Sequence, residues 1–388
     1  MALPTAGDAP ATLERPAIVA PAPREISFGT VSGRVGPGTT NVIVSVDGHQ
    51  LGGVGVSGTR FRVIVKLPPR DVTVRVTAVD GQGRRASTSV APVFGLPHAA
   101  VPRAFVTAED PVLARRIRGL VETFPGISAV VVEDLRTGKA AAWNARARFP
   151  AASTLKLGIA LELLRVRQGP PVPGSWLDRR LREMLIHSDN AAANELEIAL
   201  GGSTAGGAAQ ITSTLRRLGL AETLMSGGYA LGTAGGGRPL PLRVESQPAF
   251  VGKYTSAWDL ARLHRWLHLA TAGRGPLVRL PGSFTSADAR FLLYTLAHVR
   301  DPGKLDRYVT RRGTKVLHKA GWITNARHDS GIVYWRRGAF VAVVMTWSSY
   351  QAGPSSDVLA GRVAEAALRR FTQLPPRPQR AEAPIFHL

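Results

Sequence analysis

Three short stretches of this 388-residue chain carry residue types that can do acyl-transfer chemistry. The first is Ser153-Thr-Leu-Lys156, ahead of an apolar run with helical spacing (Leu157, Ile159, Leu161, Leu163, Leu164). If Ser153 opens that helix, Lys156 lies one turn on, on the same face. A serine hydroxyl is a poor nucleophile until a base takes its proton, and a neutral, partly desolvated lysine amine can do so. Helix N-terminal N–H groups would then face developing negative charge. The second stretch is Ser188-Asp189-Asn190, before an apolar run to Leu200. Its hydroxyl could relay a proton, its carboxamide could hold a substrate amide, and Asp189 could brace the loop. The third is His318-Lys-Ala-Gly-Trp322, at the end of an apolar strand. A strand-edge cation can anchor a carboxylate, a glycine admits a close backbone approach, and an edge N–H can complete an oxyanion hole. Each stretch has a plainer alternative: a helix cap with a surface lysine, an ordinary N-cap, and an edge lysine that discourages aggregation.

These residues need elements to hold them. From about residue 109 the pattern predicts a helix over 111–124, a hairpin over 127–143, and helices near 153–165, 176–187, 190–200, 208–218 and 255–270. Three late strands and a closing helix over 355–371 follow. Strands at both ends with helices between fit an antiparallel sheet carrying a helical insert. Residues 25–97 read differently. Alternating runs such as Asn41–Val46, Arg60–Lys66 and Asp71–Thr77, separated by Gly-Pro-Gly, Asp-Gly and Pro-Pro turns, predict a small immunoglobulin-like β-sandwich acting as a spacer or docking module. The fold class is thus multi-domain, an all-β sandwich followed by an α/β domain. Residues 1–24 read as a flexible Pro/Ala-rich lead, 98–108 as a linker, and 373–388 as a disordered tail.

Composition narrows the chemistry. There are no cysteines, so disulfides, thiolate metal sites and a cysteine nucleophile are excluded. The nine histidines show no tight metal spacing, and Gly235–Gly237 is not followed by the lysine of a phosphate loop, so neither metal nor cofactor is expected. His328, Asp329 and Ser330 are consecutive, and neighbours on a strand point to opposite faces, so they form no triad among themselves. The formal charge of +22 comes from 49 Lys and Arg against 27 Asp and Glu. No run of five like charges appears and aromatics make up only 6%, which reads as a solvated arginine-rich surface without a nucleic-acid partner. No apolar run is long enough for a membrane span, and residues 1–24 show no signal peptide.

The three motifs occur together in the order S-x-x-K, S-D-N, K-x-G, and this stretch, ~109–372, resembles the serine β-lactamase and penicillin-binding-protein superfamily, class A-like. The surrounding text strengthens the likeness: Phe149–Lys156, Ser188–Asn194 running on to Gly202, Thr255–Ala261, and His318–Trp322 through Gly331. The resemblance implies an antiparallel sheet flanked by helices with an all-helical subdomain. It implies Ser153 as the acylated nucleophile, Lys156 as its base, Ser188 as proton shuttle, Asn190 as amide ligand and Lys319 as carboxylate anchor. The oxyanion hole would come from the N–H groups of Ser153 and Trp322, beside Gly321, and Asn194 would support the loop over the site. It also implies a periplasmic or extracellular setting.

Two departures stand out. Ala320 replaces the usual Thr or Ser, removing a hydroxyl contact to the substrate, for which Arg327 is the expected substitute. The E-x-x-L-N stretch that supplies the deacylating glutamate of class A enzymes is absent; Glu245, in Arg243-Val-Glu245, is the first candidate for its place and Glu222 the second. The leading functional expectation is a serine hydrolase that opens the β-lactam amide. The alternatives are a D,D-peptidase that acts on cell-wall peptide and is acylated by β-lactams with little turnover, and a non-catalytic protein that binds wall or anionic polymers. Nothing in the sequence fixes an oligomeric state.

Overall fold

A computed structural model describes residues 12–229, 244–282, 284–309 and 314–375. The chain forms two compact units, one ending at Leu96 and the other beginning at Pro97. The part of the N-terminal lead before residue 12, the tail beyond 375 and most of the glycine-rich loop after Gly228 lie outside the described residues.

The first unit is built wholly of strands: β1 (Ala17–Ala20), β2 (Glu25–Ser27), β3 (Thr30–Arg34), β4 (Thr39–Val46), β5 (His49–Gly55), β6 (Arg60–Ile64), β7 (Asp71–Asp80) and β8 (Arg85–Gly95). They make a three-stranded sheet, β1-β3-β6, and a five-stranded sheet, β2-β8-β7-β4-β5. Strict alternation does the work. In β7, Val72, Val74, Val76 and Ala78 are buried while the residues between them are exposed or partly so. These side chains meet Val42, Val44 and Val46 of β4 and Val31, Phe61 and Val63 of the other sheet in one core. The lead is shorter than its composition suggested: β1 lies within residues 17–20 and pairs antiparallel with β3.

The second unit is mixed α/β. Its sheet has the order β14-β15-β16-β10-β11-β9, from β9 (Ala108–Glu109), β10 (Ile127–Asp134), β11 (Lys139–Trp143), β14 (Lys315–Ile323), β15 (Ala326–Trp335) and β16 (Gly338–Trp347). All neighbours are antiparallel except β9 and β11. β16 is buried along nearly its whole length, as a central strand covered on both faces must be. On one face lie α1 (Pro111–Val121) and α8 (Pro354–Gln373), joined to it through Leu113, Ile117, Val363, Ala367 and Phe371. The other helices are α2 (Lys156–Arg167), α3 (Trp176–Ile186), α4 (Asn190–Gly201), α5 (Thr204–Arg217), α6 (Ala257–Ala270) and α7 (Ser286–Leu296). A small ladder of β12 (Phe149–Pro150) and β13 (Tyr254–Thr255) stands beside them.

Helix starts follow their caps. Asp110, Ser175, Asp189, Ser203, Ser256 and Thr285 each accept a first-turn N–H, and Thr285 with Asp288 completes a capping box. α7 was not expected; its apolar residues are buried on most sides, so no clean 3.6-residue stripe marked it. Residues 98–108 are not a free linker. Ala108 and Glu109 extend the sheet, and Arg265 of α6 donates to Thr107 Oγ1 at 2.8 Å and stacks on Phe105.

Candidate active site

Ser153 lies on a 3-10 turn, Ala152–Leu155, and Lys156 is the first residue of α2, so the helix begins three residues later than expected. Ala152 before it has φ 45°, a left-handed conformation costly for a residue with a Cβ. The turn is seated on β14 at Gly321: a Cβ there would stand 2.6 Å from Ser153 N and 2.9 Å from Thr154 N. Only glycine allows the edge strand to approach the backbone of the turn so closely. From behind, the imidazole of His328 on β15 donates from Nε2 to Pro150 O at 2.7 Å and accepts Thr346 N–H at Nδ1, which fixes its tautomer.

The joint between α3 and α4 carries the second motif. Ser188 follows the helix end at φ 59°, and Asp189 caps α4 by accepting Ala192 N–H at 2.7 Å. That left-handed residue turns both its carbonyl and its hydroxyl inward. Lys156 Nζ, fully buried, donates to Ser188 O, to Asn190 Oδ1 at 2.6 Å and, longer, to Ser188 Oγ at 3.4 Å. Lys319 Nζ on β14 donates to the same Ser188 Oγ at 2.9 Å and to Ala320 O at 2.8 Å. Ser188 Oγ therefore sits between two buried amines brought from opposite parts of the sequence. Ser153 Oγ makes no hydrogen bond among the described residues and is partly accessible.

Burial penalises charge on both amines. Lys156 is pushed down to about 7, chiefly by desolvation and further by the Lys319 ammonium, against the pull of Asp189. Lys319 is pushed down to about 8, again by burial, with Asp301 and Asp329 opposing. A lysine titrating near 7 is the free amine in a large fraction of molecules at neutral pH, so it can accept a hydroxyl proton. His318, next to Lys319, pairs at 2.8 Å with Asp329, diagonally across the ladder from it. Burial opposes its charge, but that carboxylate raises its proton affinity overall.

Lys156, Ser188, Asn190 and Lys319 thus meet through their side chains, and Gly321 brings β14 against the backbone of the Ser153 turn. Trp322 continues β14 beyond Gly321 with its indole 64% exposed. Arg327 does not join them as a free donor. Its guanidinium is held by Asp357 at the start of α8 in a bidentate pair, 2.7 Å on each arm. The expectation that it replaces the hydroxyl missing at Ala320 therefore fails, because the Asp357 carboxylate already satisfies its fork. Glu245 fails too. It is exposed, and its amide donates to Asn144 Oδ1, whose own amide donates to Ser128 O. From Gly321 the ladder runs to His328, Met345 and Ala129, next to Ser128, three strand spacings or roughly 14 Å away. Glu222, the lesser candidate, is paired with Arg146.

Asn194 holds the backbone at Tyr229, the last described residue before the glycine-rich stretch, accepting its N–H at 2.6 Å and donating to its carbonyl at 3.1 Å. The buried Tyr229 ring lies 4.8 Å from Lys156 Nζ and 3.9 Å from Lys253 Nζ. Lys253 in turn donates to Gly228 O at 2.7 Å. Glu197, also buried, completes the group. The sequence offered a signal for Glu197, which is seven residues beyond Asn190 on α4 and so on its face. Tyr229 and Lys253 had none, because loop length hides which residue Asn194 grips. Among the described residues no cluster of His, Asp and Glu could hold a metal ion.

The structure resembles several solved proteins over this unit. One titled PBP-A aligns with a TM-score of 0.53 at 22% identity, covering 69% of this chain and 99% of that one. An acyl-enzyme complex of a PBP-A variant with penicillin G gives 0.54 at 21%, with the same coverage. A β-lactamase from Sphaerobacter thermophilus gives 0.53 at 19%, covering 69% of this chain and all of that one. No curated protein matches. The model of the β-lactamase enzyme family matches residues 111–169 and 177–371, well over half of the chain and spanning all three motifs. With that match laid over the convergence of Lys156, Ser188 and Lys319, the chain belongs to the β-lactamase enzyme family.

Proposed function

We propose that the second unit is a serine acyl-transfer enzyme that opens the β-lactam amide at Ser153 and releases the acyl group slowly, as a penicillin-binding protein does. Ser153 Oγ attacks the amide carbonyl. Its proton passes to the free amine of Lys156 and on, through Ser188, to the leaving nitrogen, as the C–N bond breaks and the ester forms. The Ser153 and Trp322 N–H groups receive the oxyanion, Asn190 the substrate amide and Lys319 its carboxylate.

The observation that carries this reading is the pair of buried lysines on one serine hydroxyl, the proton-poor Lys156 and the Lys319 ammonium, beside the Ser153 turn. Slow release is supported by Tyr229. The residue that Asn194 holds over Lys156 has no carboxylate to activate water, and Glu245 lies elsewhere. The sequence reading placed a serine hydrolase that opens the β-lactam amide first and the slowly released acyl-enzyme second; Tyr229 favours the second. A wall peptide is then the native substrate class, since the edge strand β14 can take an extended chain alongside it. The first unit is read as an immunoglobulin-like spacer or docking module, and the protein as exported; no described helix is long and apolar enough to cross a membrane.

Intact mass followed over time after exposure to penicillin G tests the reading. The expected result is a single adduct that persists for many minutes and is absent in Ser153→Ala. An adduct that survives Ser153→Ala removes the nucleophile. Rapid loss of the adduct with nitrocefin turnover restores the hydrolase, and no adduct at all favours a binding protein.

A further inference from the structure

Glu197 is fully buried on α4, and neither carboxylate oxygen has a hydrogen-bond partner among the described residues. A bare buried carboxylate is costly, so something must balance it or hold a proton on it. It shares a helix face with Asn190 and Asn194, two residues that grip Lys156 and Tyr229. The charges that face it are Lys156 from α2 and Lys253 from the segment before β13, which flank the Tyr229 ring. Lys156 is also met by Lys319 from β14 and Asp189 from the α4 cap. Burial pushes Glu197 up to about 7, with Lys253 and then Lys156 opposing, which places it level with Lys156. A carboxylate and an amine that both titrate near neutrality in one dry pocket can exchange a proton, and Lys253, which pulls hardest on Glu197, weighs on that exchange.

We infer that Glu197 is a positioning residue that sets the protonation of Lys156, taking up the proton that Lys156 must lose before it can serve as a base, with Lys253 biasing the exchange. The proton leaves Lys156 Nζ and ends on a Glu197 oxygen; no other bond changes. This rests on the reading of Lys156 as the base of acylation. Removing the carboxylate takes away negative charge that holds a proton on Lys156, and removing Lys253 takes away positive charge that drives it off.

The test is the pH dependence of the acylation rate, read with a fluorescent penicillin on the full chain, for wild type, Glu197→Gln and Lys253→Met. The rate should rise with pH through the Lys156 titration. Its midpoint should move down by about one pH unit in Glu197→Gln and up by a similar amount in Lys253→Met. Midpoints that coincide with wild type in both overturn the inference. A wild type that never acylates sinks the reading of Ser153 instead, and the inference is then decided by infrared spectroscopy. The C=O stretch of a protonated carboxylic acid, identified by its loss in Glu197→Gln, should titrate at a higher pH in Lys156→Met than in wild type. An unmoved titration overturns the coupling whether or not the enzyme acylates, and whether or not Glu197→Gln folds well enough for kinetics.

Discussion

On the proposed acyl-enzyme route, Tyr229 is the residue that bears on how long an ester on Ser153 lasts. A serine ester whose clamped neighbour carries no carboxylate meets water slowly, while a well-placed carboxylate contributes ~100–10,000-fold. Because Asn194 grips only the backbone of Tyr229, the side chain can change without undoing the clamp. Tyr229→Glu should therefore hasten loss of the penicilloyl adduct by at least ~10-fold, measured by intact mass, and slow its formation, because a carboxylate there holds a proton on Lys156. If the decay does not change, the clamp does not aim its residue at the ester. The missing hydroxyl at Ala320 belongs to the same scale. Ala320 is buried on β14 beside Lys319, and Ala320→Thr restores an O–H near the substrate carboxylate. A hydrogen bond to a charged group is worth ~1.5–3 kcal/mol, so the acylation efficiency (k2/K) for penicillin G should rise ~10-fold or more. A flat result would mean that the carboxylate sits elsewhere.

The elements show why motifs were legible and their partners were not. Ser153, Lys156, Ser188 and Lys319 stand in fixed local patterns, because a helix start, a helix joint and a strand end each need particular neighbours. Arg327 and Glu245 were read from type and rough distance along the chain, and here type was insufficient. Asp357 lies thirty residues from Arg327, in a helix that the hairpin folds against, and no pattern in either segment announces the pair. The 3-10 turn was also hidden, since its residues are equally good at a helix start. What the pattern did carry was glycine at 321, and the reason is now geometric. Gly321→Ala places a methyl 2.6 Å from Ser153 N and must push the turn off the strand edge. Folding should survive, because the strain can relax by shifting the turn, but acylation should fall at least ~100-fold, as a misplacement of ~1 Å in a reacting group does. Circular dichroism alongside labelling separates the two effects, and acylation within ~10-fold of wild type would show that the turn is not positioned by this contact.

At the scale of the whole molecule, three buried histidines of the second unit couple folding to pH. His264 and His328 are held down to about 4 and His268 to about 3, each chiefly by burial, against an unfolded value of ~6.5. Below pH ~6.5 the unfolded chain takes up protons that the folded chain refuses. The stability these residues supply is complete above that value and is lost as pH falls through 6 and 5 toward their folded values. His318 acts the other way. Its raised affinity, set by Asp329 against burial, adds stability in acid that is lost as pH rises through its folded value. Three groups against one give a maximum near neutrality and a steep acid side, with a ceiling of ~1.4 kcal/mol per pH unit for each histidine. All seven tryptophans lie at or after Trp143, so tryptophan emission in urea follows the second unit alone. The urea midpoint should drop markedly between pH 7 and pH 5. His268→Phe removes one titrating group. It also removes a hydrogen bond that Tyr334 makes at 3.0 Å, so this variant should be weaker at pH 7 yet fall less on acidification. Parallel midpoints for wild type and variant across that range would mean that His268 is not kept neutral by the fold.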